Sequence, residues 1–327
     1  MLIDNHNRII NYLRLAVTDR CNLRCNYCMP AEGINFAKKE MLLSLEELCL
    51  LSTRMSHLGI DKIRITGGEP FVRKDLMDLL CHLSQLEGLK DISITTNATL
   101  IGPHIDRLKE LGIRNINVSL DAIQRETFER ITRRDQYDTV YNNLFRLITE
   151  GFNVRVNFIV LDKQNTQDIL PILELQKEYP VSIRFLEEMP FNGGSRNFDK
   201  IRWTYKKILE YITTAYPDYR KLPSPDTSTS INYKIKGHQG SFGLIPSFSR
   251  TFCGSCNRLR ITATGDVITC LYGKAKLNIR DIIRGPNREE QLEAAIRKAI
   301  GNRESTGFEA QRAHADVFEN SMTSIGG

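Results

Sequence analysis

Six of the eight cysteines stand in two groups of three. Cys21, Cys25 and Cys28 fall inside CNLRCNYC, and Cys253, Cys256 and Cys270 inside CGSCNRLRITATGDVITC. Thiolates at i, i+4 and i+7 in a compact loop can converge on one metal centre. A closed structural zinc site asks for four protein ligands, yet no further cysteine or histidine follows the first group at a comparable spacing. A cubane iron–sulfur cluster has four irons, so three cysteines leave one iron open to a small molecule. The second group, a CxxC with one distant cysteine, also reads as an incomplete zinc ribbon. The remaining Cys49 and Cys81 lie in helical apolar patterns and are expected to be buried small hydrophobes.

The elements that must position these residues alternate regularly. Strand candidates are 12–17, 62–67, 91–97, 115–121, 154–160 and 182–188; helix candidates are 44–58, 73–86, 102–111, 124–131 with 137–150, and 166–177. Ser44 and Glu47 form a capping-box pattern, with Gly59 just past the helix. Such alternation predicts a parallel sheet, open or curled into a barrel. The first cysteine loop directly follows the first strand, at the end where ligands gather in β/α folds. The regularity ends near residue 190. Linker-like MPFNGGSRNFDK and LPSPDTSTSIN then bracket a helix at about 202–214, short strand signals follow, and a last helix runs from an Asn287 cap to Gly301.

Each of the six strands carries one polar face. Alternate residues share a face, which groups Leu13, Leu15 and Val17 against Arg14, and Ile63 and Ile65 against Arg64. Ser93, Thr95 and Asn97 share a face, as do Asn117, Ser119 and Asp121, then Arg155 and Asn157, and finally Arg184. A sheet with one face in water would alternate in the same way, but crossover helices normally cover both faces of an open parallel sheet. Six half-polar strands are therefore expected to enclose a wet cavity. At least four arginines point into it and call for an anionic partner.

Composition is that of an ordinary soluble chain: 327 residues, 41% hydrophobic and 26% charged. Neither a signal-peptide core nor a run near the roughly 20 apolar residues of a membrane span is present, so a cytoplasmic protein is expected. In a reducing cytosol, clustered cysteines serve metals or catalysis rather than disulfides. The formal net charge of +6 suits nucleic acid, a membrane surface or a small polyanion and does not choose among them.

Cys21, Cys25, Tyr27 and Cys28, followed by ITGGEP (65–70) after the second strand, resemble the signature of radical S-adenosylmethionine (SAM) enzymes. The second group's segment, with YLRLAVTDRCNLRC, VSLDAI, RFLEEMP and the closing SIGG, is similar to the GTP 3′,8-cyclases of molybdenum cofactor biosynthesis nearly end to end. The resemblance implies an α/β fold, a partial (β/α)6 TIM-like barrel over 1–190. A C-terminal α+β region, 191–327, would cap its open side. It implies a [4Fe–4S] cluster on each cysteine group, SAM on the open iron of the first, and guanine at the open iron of the second. A 5′-deoxyadenosyl radical then removes the 3′ hydrogen of GTP, and C3′ attacks C8 to give 3′,8-cyclo-7,8-dihydro-GTP.

By matching positions, the resemblance assigns catalysis to the first cysteines and Arg14. It assigns SAM contacts to Tyr27, Gly68, Ser119 and Met189. GTP contacts fall on Arg14, Arg64, Thr95, Arg155, Arg258, Leu259 and Arg260, and Gly326 and Gly327 form a tail that enters the site. The implied partners are a flavodoxin- or ferredoxin-like electron donor, a downstream cyclic pyranopterin monophosphate synthase and a possible homodimer, with no nucleic acid or membrane. Three positions depart from the family pattern: Arg155 replaces a usual lysine, and Ala98 and Arg133 replace usual glycines. Two rivals differ in what they predict. A peptide-modifying radical SAM enzyme with an auxiliary cluster consumes no GTP, and a zinc-binding nucleic-acid protein is colourless and exposes aromatics for stacking.

Overall fold

The computed structural model describes residues 1–191, 201–313 and 321–326. Six parallel strands follow one another in chain order: β1 (Tyr12–Ala16), β2 (Lys62–Thr66), β3 (Asp91–Thr96), β4 (Asn115–Ser119), β5 (Asn153–Val160) and β6 (Ser182–Glu187). Between them run α1 (Leu45–His57), α2 (Leu76–Ser84), α3 (Ile105–Glu110), α4 (Arg125–Thr132), α5 (Tyr137–Thr149), α6 (Ile169–Leu173) and α7 (Leu175–Glu178). The expected capping box opens α1, with Ser44 and Glu47 each bonding the other's backbone N–H. The expected single helix over 166–177 is instead a 3-10 turn followed by α6 and α7. Pro171 within the run removes an N–H that a continuous helix would use.

The later segment contributes α8 (Tyr205–Ala215), β7 (Tyr219–Lys221), β8 (Ile231–Ile235), β9 (Ser241–Ile245), β10 (Arg258–Ile261), β11 (Asp266–Ile268) and β12 (Leu277–Asn278). Four helices follow: α9 (Arg280–Arg284), α10 (Arg288–Gly301), α11 (Gly307–Ala313) and α12 (Met322–Ile325). Asn287 precedes α10 in a left-handed conformation, φ 53°, and its side chain makes no cap.

The strands of the later segment extend the first sheet at both ends. Strand β10 pairs parallel with β1, and β9 pairs parallel with β6, so eight parallel strands run side by side. Antiparallel β11–β12 and β8–β7 continue outward, giving one open order of twelve strands and a partial barrel that does not close. The pattern explains the addition: RLRI in β10 alternates as YLRLA does in β1, with Leu259 and Ile261 buried on the helix side. In β5 and β6, Val154, Val156, Phe158, Ile183 and Phe185 are buried, while Arg155, Asn157, Ser182 and Arg184 alternate with them. Glu187 ends β6 fully buried and accepts from the N–H groups of Tyr205, Phe248 and Ser249 at 2.7–2.9 Å. It thereby ties α8 and the second cysteine segment to the barrel. Among the described residues, no helix is long and apolar enough to cross a membrane.

Two of the three departures from the family pattern have a local explanation. Ala98 and Arg133 both occupy the left-handed region, at φ 61° and 57°, where glycine carries no Cβ penalty. The turns are kept despite the side chains. Arg133 even uses its own, donating to the carbonyls of Arg24 and Met29 at 3.2 and 3.0 Å and so bracing the first cysteine loop. Cys49 and Cys81 are half-buried rather than core residues.

Candidate active site

A cavity of about 500 Å³ is lined by residues from both ends of the parallel strands, and all six grouped cysteines border it. The first group sits on a loop held from three sides. Arg24 and Asn26 donate backbone N–H bonds to Thr132 and Ile131 at the end of α4, both at 2.9 Å. Tyr27 donates its hydroxyl to Asp121 at 2.5 Å, and Ser321 donates to the Cys28 carbonyl at 2.8 Å. Burial pushes the Cys21 thiol up to about 11 and also raises Cys25 and Cys28, helped there by neighbouring sulfurs and Asp121. A bound metal centre is what offsets the cost of ionising such thiols.

Donor chemistry decides what the groups can hold. Among the described residues, no histidine and no seventh cysteine lines the cavity, so each group stays one ligand short of a closed zinc site there. Among the described residues, no three or more His, Cys, Asp or Glu side chains are arranged around a single metal ion. A four-iron cubane, which spreads its thiolate ligands over separate corners and tolerates an open iron, fits this donor set.

The Gly-Gly turn after β2 is tight for a reason internal to the chain. A Cβ on Gly67 would lie 2.3 Å from the Thr18 carbonyl oxygen, and one on Gly68 would lie 2.2 Å from that of Arg20. Glycine there lets the turn press onto the segment leading to Cys21, through bonds from Gly68 N to Thr18 O and Glu69 N to Arg20 O, both 2.8 Å. Glu69 is buried and accepts from Thr96 Oγ1, Asn97 N and Phe71 N at 2.8, 2.7 and 3.1 Å. Burial nevertheless outweighs these bonds and pushes its carboxyl up to about 7.

A carboxyl whose pKa is higher when folded holds its proton while the unfolded chain releases one. Stability is therefore lost as pH rises from about 4.5 towards 7, by an amount on the order of 3 kcal/mol. Glu69→Gln is expected to flatten that part of the profile in the ligand-free protein. Denaturant midpoints measured between pH 4.5 and 7.5 check this, and parallel profiles for the two proteins would contradict it.

Opposite the first group stands a row of cations. Parallel pairing sets Arg260 beside Arg14 and Arg14 beside Arg64, with Ser93 next in line. Arg258, in register with Tyr12, and Arg184 on β6 line the same cavity, as do Arg8, Lys62, Arg250 and Arg303. Burial, then mutual repulsion, pushes Arg184 down to about 9 and Arg260 to about 10, and lowers Arg14 and Arg258 as well. Among the described residues, Arg184 Nε, Thr66 Oγ1, Thr95 Oγ1 and Thr269 Oγ1 are buried at this cavity without a hydrogen-bond partner.

Most of the residues expected from sequence meet here. Tyr27, Gly68, Ser119 and Met189 line the cavity, as do Arg14, Arg64, Thr95, Arg258 and Arg260. Arg155 stands back from the lining, with Nη1 3.4 Å from Asn115 Oδ1, and the Leu259 side chain is in the hydrophobic core. The closing segment returns into the site: Arg260 Nη1 donates to the Gly326 carbonyl at 2.6 Å. Gly326 has φ 78°, and a Cβ there would lie 3.0 Å from that of Ala16. Gly327 lies outside the described residues. Asp121, Thr66, Thr269 and Arg303 also line the cavity and were not singled out as site residues from sequence. Asp121 and Thr66 had a signal, their places on the polar faces of the expected strands 115–121 and 62–67.

An unclosed parallel barrel with a three-cysteine loop after its first strand defines a radical SAM protein. Residues 15–175 match the radical SAM superfamily model, and residues 181–308 match the model described as Molybdenum Cofactor Synthesis C. The SAM-bound SuiB of Streptococcus suis shares the fold, with a TM-score of 0.63 at 16% identity over 89% of this chain and 68% of that one. The SAM-bound anSMEcpe does so with a TM-score of 0.55 at 14% identity, over 94% and 95%.

Among curated relatives, the GTP 3′,8-cyclase of Limosilactobacillus fermentum is 33% identical over 100% of this chain and 99% of its own length. The mitochondrial GTP 3′,8-cyclase of Arabidopsis thaliana is 37% identical, over 99% and 81%. Molybdenum cofactor biosynthesis protein 1 of Bos taurus is 40% identical over 98% of this chain but 50% of that protein. The chain thus spans about half the length of several curated animal relatives it matches. It belongs to the GTP 3′,8-cyclase family. A radical SAM protein takes SAM and an iron–sulfur cluster, and the first cysteine group is where this chain's residues fit them.

Proposed function

We propose that this chain is a GTP 3′,8-cyclase that converts GTP to 3′,8-cyclo-7,8-dihydro-GTP in molybdenum cofactor biosynthesis. The cation row between the two cysteine groups carries the proposal: Arg260, Arg14 and Arg64 stand in register across three parallel strands, with Arg258 and Arg184 beside the same cavity. Buried like charges of this density are tolerable where a polyanion enters, and a nucleoside triphosphate supplies three phosphates with oxygens suited to guanidinium forks.

When bound, the first cluster and SAM supply the one-electron chemistry that removes a hydrogen from an unactivated carbon. The chain's own contribution is placement. Tyr27, Gly68, Ser119 and Met189 border the SAM side. The second group, Cys253, Cys256 and Cys270, would carry a second [4Fe–4S] cluster with its open iron towards the guanine. Arg258 and Arg260 occupy the strand between those cysteines, and the arginines of β1, β2 and β6, with Thr95, take the phosphates. Residues 1–190 then carry the first cluster with the SAM side and most of the phosphate contacts, and 191–327 carry the second cluster and the tail, on one shared sheet. The tail, described as far as Gly326, reaches the site through the bond from Arg260. The same reading places beside the enzyme a flavodoxin- or ferredoxin-like reductant, a downstream cyclic pyranopterin monophosphate synthase that takes the product, and a homodimeric assembly in the cytoplasm.

Anaerobic incubation with SAM, a chemical reductant and GTP tests this. The expected result is GTP-dependent formation of the cyclised nucleotide by a brown protein carrying about eight irons. A colourless zinc protein, or SAM cleavage with no GTP consumed, would overturn it.

A further inference from the structure

Arg303 lies just beyond α10, 4% exposed, and grips one cysteine of the second group twice. Its Nη2 donates to Cys256 Sγ and its Nη1 to the Cys256 carbonyl, both at 2.9 Å. The planar fork is what lets one side chain reach the sulfur and the backbone of the same residue. Residues near the start of the chain brace it. Asp4, 5% exposed, faces Arg303 Nη1 at 3.6 Å. Asp4 is fixed in turn by Arg8 Nε at 2.6 Å and by the N–H groups of His6 and Arg8 at 2.9 Å. Arg8 continues to the carbonyls of Cys253, Glu304 and Ser305 at 3.0, 2.9 and 2.7 Å, and His6 Nε2 meets the Arg303 carbonyl at 3.0 Å.

The two cysteine groups therefore sit in opposite surroundings. At the first group no guanidinium touches a sulfur among the described residues. Cys21 Sγ meets Asn97 Nδ2 at 3.8 Å and the Leu23 N–H, Cys25 meets Tyr27, and Asp121 and Glu69 lie close by with Arg24 as a nearby cation. At the second group a guanidinium touches Cys256 Sγ, and the Gly307 N–H reaches Cys253 Sγ at 3.4 Å. Donors and positive charge at ligand sulfurs withdraw electron density and stabilise the more negative, reduced cluster.

We infer that Arg303, oriented by Asp4 and Arg8, is a positioning residue of the second metal centre: it aims Cys256 at the cavity and makes the bound cluster easier to reduce. The inference rests on the proposed second cluster. It assigns a task to residues 4–8, which border the cavity only through Arg8.

The test uses the full chain with Cys21, Cys25 and Cys28 all replaced by alanine, so that only the second group can take iron. Iron per chain and the reduced fraction, read by electron paramagnetic resonance against poised dyes, are compared with those after Arg303→Met, Arg303→Lys and Asp4→Asn. The parent is expected to hold about four irons. Arg303→Met should lower the reduced-to-oxidised ratio at fixed potential about tenfold, equivalent to about 59 mV for one electron. Arg303→Lys should recover part of that loss, and Asp4→Asn should shift the ratio the same way by less. If Arg303→Met loses its iron, the lysine and Asp4 variants decide, and parental ratios in both would overturn the inference. An unchanged ratio in Arg303→Met would do so directly. A parent that takes up no iron would instead sink the second-cluster reading, and this inference with it.

Discussion

Cys25→Ala is expected to abolish SAM cleavage, whereas Cys256→Ala should leave cleavage running and eliminate the cyclised nucleotide. The two groups line one cavity from different segments, so their roles separate along the chain rather than across domains. Cys25 is the middle thiol of a loop whose three sulfurs are buried together, and removing it leaves two ligands for a cluster that already has an open iron. Cleavage of SAM should fall at least ~100-fold, since even outer-shell losses cost 10–100-fold at metal centres. Cys256 is tied to Arg303 and to the segment that carries Arg258 and Arg260, on the substrate side. Its loss misplaces the nucleotide while the first loop, pinned to α4 and Asp121, keeps its geometry. 5′-Deoxyadenosine and cyclised product are quantified in the same reactions. Equal loss of both in Cys256→Ala would assign the second group to folding rather than to substrate placement.

The fold and the cavity were largely legible because both are written in periodicity. Alternation put Arg14, Arg64 and Arg184 on one face, and strand–helix regularity to residue 188 gave the six-stranded core. What escaped notice depends on contacts far apart in sequence. Nothing in RLRI says that it pairs with residues 12–15, because a four-residue alternating run has many possible neighbours. The reach of Arg303 to Cys256 spans 47 residues, and that of Arg8 to Cys253 spans 245, so neither leaves a local pattern. The Gly-Gly turn was legible as part of the ITGGEP signature but not in its contacts: the nearest atoms are carbonyls of Thr18 and Arg20, supplied by the loop that delivers Cys21. Arg155 shows the limit of parity. It faces the polar side as expected yet stops short of the cavity, held near Asn115.

Arg14→Ala is expected to raise the KM for GTP about 100-fold and to change SAM affinity less than about threefold. A charge-assisted bond from a buried guanidinium contributes about 1.5–3 kcal/mol, which corresponds to roughly 10–150-fold. Arg14 stands at the centre of the row, in register with Arg260 on one side and Arg64 on the other, so its loss opens a gap where the field is strongest. The same field makes a second, opposite prediction for stability. Arg184 is pushed down to about 9 by burial and then by Arg155 and Arg64, and its buried Nε has no hydrogen-bond partner among the described residues. Replacing it by an apolar side chain of similar length removes an uncompensated buried cation. Arg184→Met should therefore melt several degrees higher than the parent without nucleotide, while its KM for GTP rises. Added triphosphate should narrow the gap, because the parent gains more from binding an anion than the variant does. Melting temperatures with and without inorganic triphosphate, set beside steady-state kinetics, test both halves. A ligand-free Arg184→Met protein that melts below the parent would show the row to be neutralised from within the protein, and a GTP requirement would no longer explain its arginines.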